Sequence, residues 1–361
     1  MTRSVRHLAV LSASVLVAAA ALSLASTSVA APGGRGHGHG HPELAWQPVP
    51  VSTGQNFRGL DAVDRRTAWV AGSAGGVWRT DDGGRTWQDV SPPEAAGLEF
   101  RDIEVHGRRT VSALAIGVGD QNQIYRTTDR GRSWTRTFVS DEPASFYDCM
   151  AFYPGGRVGL AVSDPFDGHL RIIRTTDAGA TWQVLPTDGF PDPAAGEFYF
   201  AASGTCLVTA GTQAYLGSGG GAARILHSGD FGLTWDVAES NLPSGDAAGV
   251  FSLAFRTPYS GVAVGGDFLD ETNGTDFAAT TRDGATWTGG SDLGGYRSGV
   301  AWLQRRPRSA VAVGPTGTDL SHDGGRTWVT VDDVRYDAVQ CTPDGACWAS
   351  GPAGTVARFA P

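Results

Sequence analysis

Lysine is absent from this sequence, and all 28 of its basic residues are arginine. They face 37 acidic residues, which leaves a formal charge of -9 over 361 positions. Nucleic-acid binding needs clustered cations, so this balance and the lack of a basic tail argue against such a partner. Methionine is also scarce, with two residues, whereas glycine is abundant, with 51. The glycine share is about twice that of ordinary globular chains, which indicates many tight turns.

Long hydrophobic segments are confined to the N-terminus. The first 30 residues combine two arginines, an apolar run at residues 8–24 and a Ser-Val-Ala site before Ala31, the three parts of a secretory signal peptide. A membrane anchor is the alternative, but the run is short for a span and rich in Ala and Ser. No later segment is apolar enough to cross a bilayer. We therefore predict cleavage and export, with a soluble product in the cell envelope or outside the cell.

The four cysteines form an even set, which predicts two disulfides in an exported protein. Cys341 and Cys347 flank the turn sequence Thr-Pro-Asp-Gly, so we expect them to pair across two strands. That assignment leaves Cys149 to pair with Cys206. A metal or thiol site is the alternative, and the paired CxxC spacing that such a site needs is missing.

An eight-residue pattern, Ser/Thr-x-Asp-x-Gly-x-Ser/Thr-Trp, recurs through the chain. Its copies occupy residues 80–87, 127–134, 175–182, 228–235, 280–287 and 321–328. In the fifth copy, Arg282 stands where the Asp is expected, and Asp283 follows one position later. Six copies at intervals of roughly 45 residues indicate a repeat architecture.

Each interval carries four short segments that are apolar or alternating, separated by Gly, Pro, Asp and Asn. Four strands in roughly 45 residues describe one blade of a β-propeller, and no segment after residue 30 has a helical period. Three strands follow the last octad, and residues 44–51 resemble the missing fourth. We therefore predict an all-β, seven-bladed propeller of four-stranded blades over residues 42–361. Its N-terminal strand closes the ring, and a flexible Gly- and His-rich linker at residues 31–41 precedes it.

The octads resemble Asp boxes, also called BNR repeats. The segments FRGL at residues 57–60 and TAWVAG at residues 67–72 add to this resemblance. With them, the chain after residue 30 is similar to the Asp-box propeller superfamily, which includes sialidases, sortilin-type receptors and photosystem II assembly factors. The likeness is greatest to the assembly factors and their non-photosynthetic bacterial relatives. It is specific for the fold and weak for function.

The repeated aspartates have a structural explanation. A short carboxylate accepts backbone N–H groups within a turn, and the recurring Gly permits a backbone conformation that a Cβ would obstruct. The recurring Trp is large enough to fill the space between adjacent blades. We assign this turn role, rather than catalysis, to Asp82, Asp129, Asp177, Asp230 and Asp323.

Functional side chains are expected on the opposite face, where the loops between strands two and three meet the entries to the blades. The loops offer carboxylates at Asp120, Asp164 and Asp267. The entries offer one arginine each, beside an aromatic residue, at Arg58, Arg101, Arg297 and Arg335. Photosystem II assembly propellers hold a partner polypeptide with an Arg-rich patch, and the resemblance implies a similar patch here. The alternative is that these arginines pair with neighbouring Asp and line a solvated channel.

Two functions compete. Because no catalytic group is recognisable, we predict a monomeric scaffold, without cofactor, that binds a protein or glycan at the channel mouth. The alternative is a glycoside hydrolase, sialidase-like or polysaccharide-cleaving, because such enzymes include Asp-box propellers and use two carboxylates. Its candidate residues are Asp164, Asp167 and Asp267. An oxidoreductase, the label of some relatives, is least favoured, and the Asp-rich loops leave a structural calcium as an alternative to the absence of metal.

Overall fold

The computed structural model describes residues 45–359. The predicted signal peptide (1–30) and linker (31–41) lie outside the described residues. The described part contains 30 β-strands and three single-turn 3₁₀ segments, at Ser73–Gly75, Pro93–Ala95 and Gly119–Gln121. Within it, no helix is long and apolar enough to cross a membrane.

Seven antiparallel sheets form the blades. Blade 1 contains β2 to β5, at Phe57–Ala62, Ala68–Gly72, Val77–Thr80 and Gln88–Asp89. Blade 2 contains β6 to β9, at Glu99–Val105, Val111–Ile116, Gln123–Thr127 and Thr135–Val139. Blade 3 contains β10 to β13, at Tyr147–Phe152, Gly159–Phe166, His169–Thr175 and Gln183–Val184. Blade 4 contains β15, β16, β18 and β19, at Leu207–Ala210, Gln213–Gly217, Arg224–Ser228 and Asp236–Glu239.

The remaining strands complete three further blades. Blade 5 contains β20 to β23, at Gly245–Thr257, Ser260–Asp267, Ala278–Thr281 and Trp287–Ser291. Two short strands, β14 at Glu197–Phe198 and β17 at Gly219–Gly220, extend its inner edge, so this sheet has six strands rather than the predicted four. Blade 6 contains β24 to β27, at Gly299–Trp302, Ala310–Gly314, Gly317–Ser321 and Val329–Asp332. Blade 7 contains β28 to β30 and β1, at Ala338–Cys341, Cys347–Ser350, Val356–Phe359 and Gln47–Pro48.

The N-terminal strand closes the ring, as predicted. β1 pairs antiparallel with β30, with Gln47 opposite Arg358 and Pro48 opposite Ala357. The first strands of neighbouring blades contact one another in a complete cycle, from β2 round to β28 and back to β2. The first strand of every blade therefore lines the central channel.

Polar side chains of the first strands link neighbouring blades across the channel wall. The Asp102 carboxylate accepts the backbone N–H of Met150 at 2.6 Å, and the Ser252 hydroxyl accepts that of Val300 at 3.0 Å. Farther out, the octad tryptophans pack between blades, as predicted, and the indole of Trp134 donates to the Val90 carbonyl at 2.7 Å. Buried polar groups in the wall thus satisfy backbone groups that the sheets leave unpaired.

Both predicted disulfides are present, Cys149–Cys206 and Cys341–Cys347. The second joins β28 to β29 within blade 7, at directly paired positions. The first ties β10 to the start of β15 and therefore spans blades 3 and 4. No cysteine in the described part of the chain is unpaired.

The octads form turns between the third and fourth strands. In blade 4, Asp230 Oδ1 accepts the hydroxyl of Ser228 at 2.8 Å and the backbone N–H of Thr234 at 2.9 Å, while Oδ2 accepts the Thr234 hydroxyl at 2.7 Å. The equivalent bonds recur at the other four predicted aspartates, Asp82, Asp129, Asp177 and Asp323. Hydrogen bonds to Thr86 lower the pKa of Asp82 to about 2.

The octad that begins at residue 280 differs by one residue. Thr281, not Thr280, donates its hydroxyl to Asp283, at 3.1 Å, and Asp283 also accepts the backbone N–H groups of Ala285 and Thr286. The turn is therefore one residue shorter, and the displaced aspartate takes the usual role. Arg282 does not leave the turn without its carboxylate.

The two faces of the ring carry opposite charge. Connections between strands one and two and between strands three and four meet at the Asp-box face, where four octads donate a backbone N–H to an arginine carbonyl, at Arg66, Arg109, Arg157 and Arg308. The described connections of this face hold 13 arginines, Arg65, Arg66, Arg85, Arg108, Arg109, Arg130, Arg132, Arg157, Arg282, Arg305, Arg306, Arg308 and Arg326. They also hold nine aspartates, Asp64, Asp81, Asp82, Asp129, Asp177, Asp230, Asp283, Asp323 and Asp344.

The opposite face is strongly acidic. Its described connections hold two arginines, Arg297 and Arg335. They hold 14 carboxylates, Glu94, Asp120, Asp141, Glu142, Asp167, Asp188, Asp192, Glu197, Asp270, Glu271, Asp276, Asp292, Asp333 and Asp337. The chain's net negative charge is therefore concentrated at one end of the channel, and the other end is basic.

Candidate binding site at the channel mouth

A cavity of about 450 Å³ opens at the acidic face, over the central channel. The ends of the first strands and the neighbouring loops supply its walls. Its lining includes Arg58, Arg101, Arg335, Asp148, Asp164, Asp337, Glu271, Tyr199, Phe200, Phe251 and Tyr296. Four of the residues predicted to bind a partner, three arginines and Asp164, are thus brought together by the ring.

The three arginines enter the cavity from adjacent blades 7, 1 and 2. Arg58 lies 4.0 Å from Asp337, and Arg335 lies 3.7 Å from the same carboxylate and 3.8 Å from Glu271. Arg101 pairs with Glu99. Burial and the nearby charge of Arg58 lower the pKa of Arg101. The side chains are still 25%, 22% and 45% exposed for Arg58, Arg101 and Arg335. Each guanidinium has five N–H donors, so these pairings leave donors that face the cavity.

Residues 197–204, which we call the channel plug, cross the channel mouth. The segment leaves blade 3, and its backbone is held by side chains of other blades. Arg101 donates to the Ala201 carbonyl at 2.8 Å, and Arg58 donates to the Ala202 carbonyl at 3.4 Å. Cys149–Cys206 fastens the chain just beyond the plug to the channel wall. The plug therefore turns an open channel into a cavity with a floor.

Aromatic rings form the apolar part of this floor. Phe200 of the plug stacks on Phe251 of blade 5, with ring centroids 3.6 Å apart. Tyr296 packs on the other side of Phe251 at 4.5 Å, and Phe268 meets Phe200 edge-on at 6.3 Å. The cavity thus combines guanidinium groups with an aromatic base, a combination common at protein-binding hot spots.

Asp148 and Asp164 form a carboxyl pair in the wall. Asp148 is 1% exposed, and its Oδ2 atom has no conventional hydrogen-bond partner. Burial and the charge of Asp164 raise the pKa of Asp148 well above its ordinary value, and burial raises the pKa of Asp164 to about 6. A hydrogen bond between the two carboxyl groups favours the proton on Asp148 and the charge on Asp164. Asp164 Oδ1 then accepts the Tyr199 N–H at 2.7 Å, so the pair also holds the plug.

Arg297 does not belong to the arginine patch that the sequence predicted. Its side chain is fully buried and forms two 2.9 Å hydrogen bonds to Asp319, one to each carboxylate oxygen. Gly294 makes this possible, because a Cβ there would lie 2.8 Å from Asp319. A buried charge needs such a partner, so the guanidinium of Arg297 is engaged inside blade 6 and does not line the cavity.

The other predicted carboxylates lie outside the cavity. Asp120 is exposed in a 3₁₀ turn, and Asp267 ends β21, where it accepts the Leu269 N–H at 2.8 Å. Asp167 occupies the hairpin between β11 and β12 with a φ of 52°. These three residues therefore do not join Asp164 at the cavity.

Sequence reasoning missed several lining residues. Asp148 and Tyr199 carry no motif, and Phe200 lies in a long inter-blade connection without repeat character. Asp337 could have been found, because it follows the predicted Arg335 by two positions, on the same side of an extended segment. Within the described residues, no group of three or more His, Cys, Asp and Glu is arranged to hold a metal ion.

Parts of this chain match known protein families. The family model described as Sortilin, neurotensin receptor 3 (Sortilin-Vps10) matches residues 75–190. The photosystem II assembly lipoprotein Ycf48 of Synechococcus sp. (strain CC9902) is 25% identical over 146 residues, 40% of each chain. The chain is an Asp-box β-propeller.

Other relatives of this Asp-box propeller include enzymes. A xyloglucanase of Paenibacillus sp. is 28% identical over 137 residues, which are 31% of this chain and 13% of the enzyme. The chain thus spans well under half the length of these curated relatives.

Solved structures show the same fold. A YCF48 structure bound to a D1 peptide superposes with a TM-score of 0.62 at 18% identity and covers 88% of this chain and 97% of that one. The GH74 xyloglucanase of Xanthomonas campestris gives a TM-score of 0.60 at 18% identity, with 87% of this chain and 53% of that one. Both a peptide-bound propeller and a glycoside hydrolase therefore share the architecture.

Proposed function

We propose that the protein is a binding or assembly scaffold whose channel-mouth cavity takes an extended polypeptide segment of an envelope or extracellular partner. The observation that carries the proposal is the way Arg58 and Arg101 hold the carbonyls of Ala201 and Ala202. Guanidinium groups in this cavity already bind the backbone carbonyls of a polypeptide segment, here a turn of the plug. The YCF48 structure bound to a D1 peptide supports a polypeptide as the ligand class.

The chemistry of the cavity favours a partner segment with a carboxylate and an apolar side chain. The remaining donors of Arg58, Arg101 and Arg335 suit a carboxylate, because a guanidinium can bind one through two parallel hydrogen bonds. The stacked rings of Phe200 and Phe251 suit an apolar side chain next to it. An acidic rim deters ligands with excess negative charge, so one well-placed carboxylate is favoured over a polyanion.

The test is affinity capture from envelope extracts, followed by direct binding of the recovered partner. We compare wild type with the triple variant Arg58→Gln/Arg101→Gln/Arg335→Gln and expect at least tenfold weaker binding. The matched control, Arg108→Gln/Arg109→Gln/Arg132→Gln, makes the same charge change at the other face and should bind normally. Arg335→Gln alone, which leaves the plug contacts intact, should show part of the loss. A partner bound equally well by every variant would exclude the cavity as its site.

A glycoside hydrolase is the second candidate, supported by the likeness to xyloglucanases and by the carboxylates in the cavity. Glycosidases separate their two carboxyl groups by about 5–9.5 Å, whereas Asp148 and Asp164 are close enough to share a proton. Asp164 would therefore need a different partner, such as Glu271 or Asp337. Turnover of chromogenic glycosides that disappears in Asp164→Asn would favour this function over binding alone.

We also propose that the chain acts outside the cytoplasm, as a monomer and without a cofactor. Two disulfides are typical of proteins from an oxidising compartment. The N-terminal signal sequence supports the same location. Mass spectrometry of the secreted protein, with a new N-terminus at Ala31, would test it.

A further inference from the structure

The basic face has no role in the proposed function. Its described connections carry 13 arginines against nine aspartates, whereas the described connections of the opposite face carry two arginines against 14 carboxylates. In a protein with a net charge of -9, this separation orients the molecule in an electric field. The basic end therefore meets an anionic surface first.

Carboxylates do not neutralise most of these arginines. Arg66, Arg157 and Arg308 donate instead to backbone carbonyls of the adjoining octads, at 3.3, 3.3 and 3.1 Å. Arg108, Arg109 and Arg132 line a groove of about 860 Å³ between blades 1 and 2, and no ion pair involves them within residues 45–359. Backbone contacts thus place these guanidinium groups, and 13 arginines against nine aspartates leave an excess of four positive charges on the described connections of this face.

The connections of the basic face are also short. Each of its described connections contains at most seven residues, as at 303–309 and 322–328. The acidic face instead carries the long connection at 185–206 and a second at 268–277. Short turns, of two to seven residues, keep long loops off this face, which suits a broad partner better than a narrow one.

Exposed apolar side chains share this face. Leu233 and Phe231, in the octad turn of blade 4, are 48% and 37% exposed, and Tyr259, in the neighbouring turn of blade 5, is 51% exposed. The blade 4 turns contain no arginine. The face thus has an apolar sector beside a basic sector, the pattern of surfaces that rest at a membrane interface.

We propose that the Asp-box face docks on a bilayer of anionic lipids. The arginines contact headgroup phosphates, while Leu233, Phe231 and Tyr259 enter the interfacial layer. A soluble polyanion would use the arginines but would gain nothing from the apolar sector, so the bilayer accounts for both features. Docking in this orientation leaves the channel-mouth cavity facing the aqueous side, open to a partner.

The experiment is co-sedimentation of the purified chain with vesicles, of phosphatidylcholine alone or with 30% phosphatidylglycerol, at about 50 and 500 mM salt. We expect at least tenfold more binding to the anionic vesicles at low salt, and loss of the difference at high salt. The residues that precede the propeller are the same in every variant, so a difference between variants reports the folded face.

Variants separate the possible outcomes. Arg108→Gln/Arg109→Gln/Arg132→Gln should reduce binding to anionic vesicles at least tenfold. The control Val118→Glu/Thr187→Glu/Leu269→Glu makes the same net charge change at the acidic face and should have less than a twofold effect. Leu233→Ser/Tyr259→Ser should weaken vesicle binding at least threefold but leave binding to soluble polyphosphate unchanged.

Two results would overturn the proposal. Equal sedimentation of wild type and the triple Gln variant would remove the basic face as the docking surface. Vesicle binding that is unaffected by Leu233→Ser/Tyr259→Ser, together with tight polyphosphate binding, would show a site for a soluble polyanion instead.

Discussion

Aspartate performs two opposite tasks in this ring. In the octad turns, Asp82 and its counterparts lie near solvent and accept several N–H and O–H donors, which lower the pKa of Asp82 to about 2. In the channel wall, Asp102 is 3% exposed, and burial raises its pKa to about 8, although Met150 and Ile103 donate to it. Residue type therefore does not decide ionisation. The balance between hydrogen-bond donors and lost hydration decides it.

The wall carboxyls also influence one another. Asp61 lies on the first strand of blade 1, and burial raises its pKa to about 6. Its charge adds to the raised pKa of Asp102, and the pKa of Glu104 is raised by burial and by both neighbours. The octad carboxylates are separated by whole blades and lack this coupling. Burial therefore favours the protonated form of the wall carboxyls, whereas the hydrogen-bond donors of the turns favour the charged form of the octad aspartates.

The largest expected effect comes from deleting a wall carboxyl. Asp102→Ala leaves the buried Met150 N–H without an acceptor, and the free energy of unfolding should fall by about 2–3 kcal/mol. Chemical denaturation would measure the loss. Asp102→Asn, which retains a carbonyl oxygen at the same place, should lose less than half as much, and an equal loss in both variants would mean that the side chain's volume matters more than its hydrogen bond.

The dependence of stability on pH should distinguish the wall carboxyls from the octad carboxylates. A raised pKa in the folded state means that stability is complete below the unfolded pKa and is lost as the pH rises, through about 6 for Asp61 and about 8 for Asp102. We expect a loss of about 1–2 kcal/mol between pH 6 and pH 8, and a smaller one in Asp102→Asn. The octad carboxylates act in the other direction, and their contribution is lost as the pH falls from about 4 toward 2. Thermal unfolding at several pH values tests both expectations. An unfolding midpoint that rises between pH 6 and pH 8 would contradict the raised pKa values of the wall carboxyls.

Removing one octad carboxylate should have the smallest effect. Asp230→Ala deletes the acceptor of the Thr234 N–H and hydroxyl in a turn near solvent, so water replaces part of the loss, and we expect a cost of about 1 kcal/mol. Denaturation at pH 7 would show it. Partner binding should be unchanged, and loss of binding in a well-folded Asp230→Ala protein would assign the octads a functional role.

The repeat made most of the fold predictable. The spacing of the octads predicts the number of turns. Only three strands follow residue 328, so the last blade needs a fourth strand from elsewhere in the chain, and β1 supplies it. The strands that escaped prediction, β14 and β17, lack the repeat. They form because Gly219 and Gly249 let two backbones approach closely: a Cβ on Gly249 would lie 2.4 Å from the Gly219 Cα, and one on Gly219 would lie 2.7 Å from the Ala248 carbonyl oxygen.

The candidate site was only partly predictable. Arg58 and Arg101 follow an aromatic residue on the first strands of blades 1 and 2, and Arg335 lies just before the first strand of blade 7. Ring geometry therefore brings all three to one end of the channel. Arg297 has the same sequence context but faces Asp319, a partner on another strand that no local pattern reveals. The plug and the pair of Asp148 with Asp164 depend on contacts between distant segments.

The sequence by itself determined the ring: repeated turns, period-two strands and an even set of cysteines are local features, and each repeat can only bury its apolar faces against the next. The tertiary structure alone decided which charges are usable. Whether an arginine is buried in an ion pair, holds the plug or stays without an ion pair on the basic face depends on what lies opposite it in space. The sorting of basic and acidic residues to opposite faces emerges for the same reason, since successive connections alternate between the two ends of the ring.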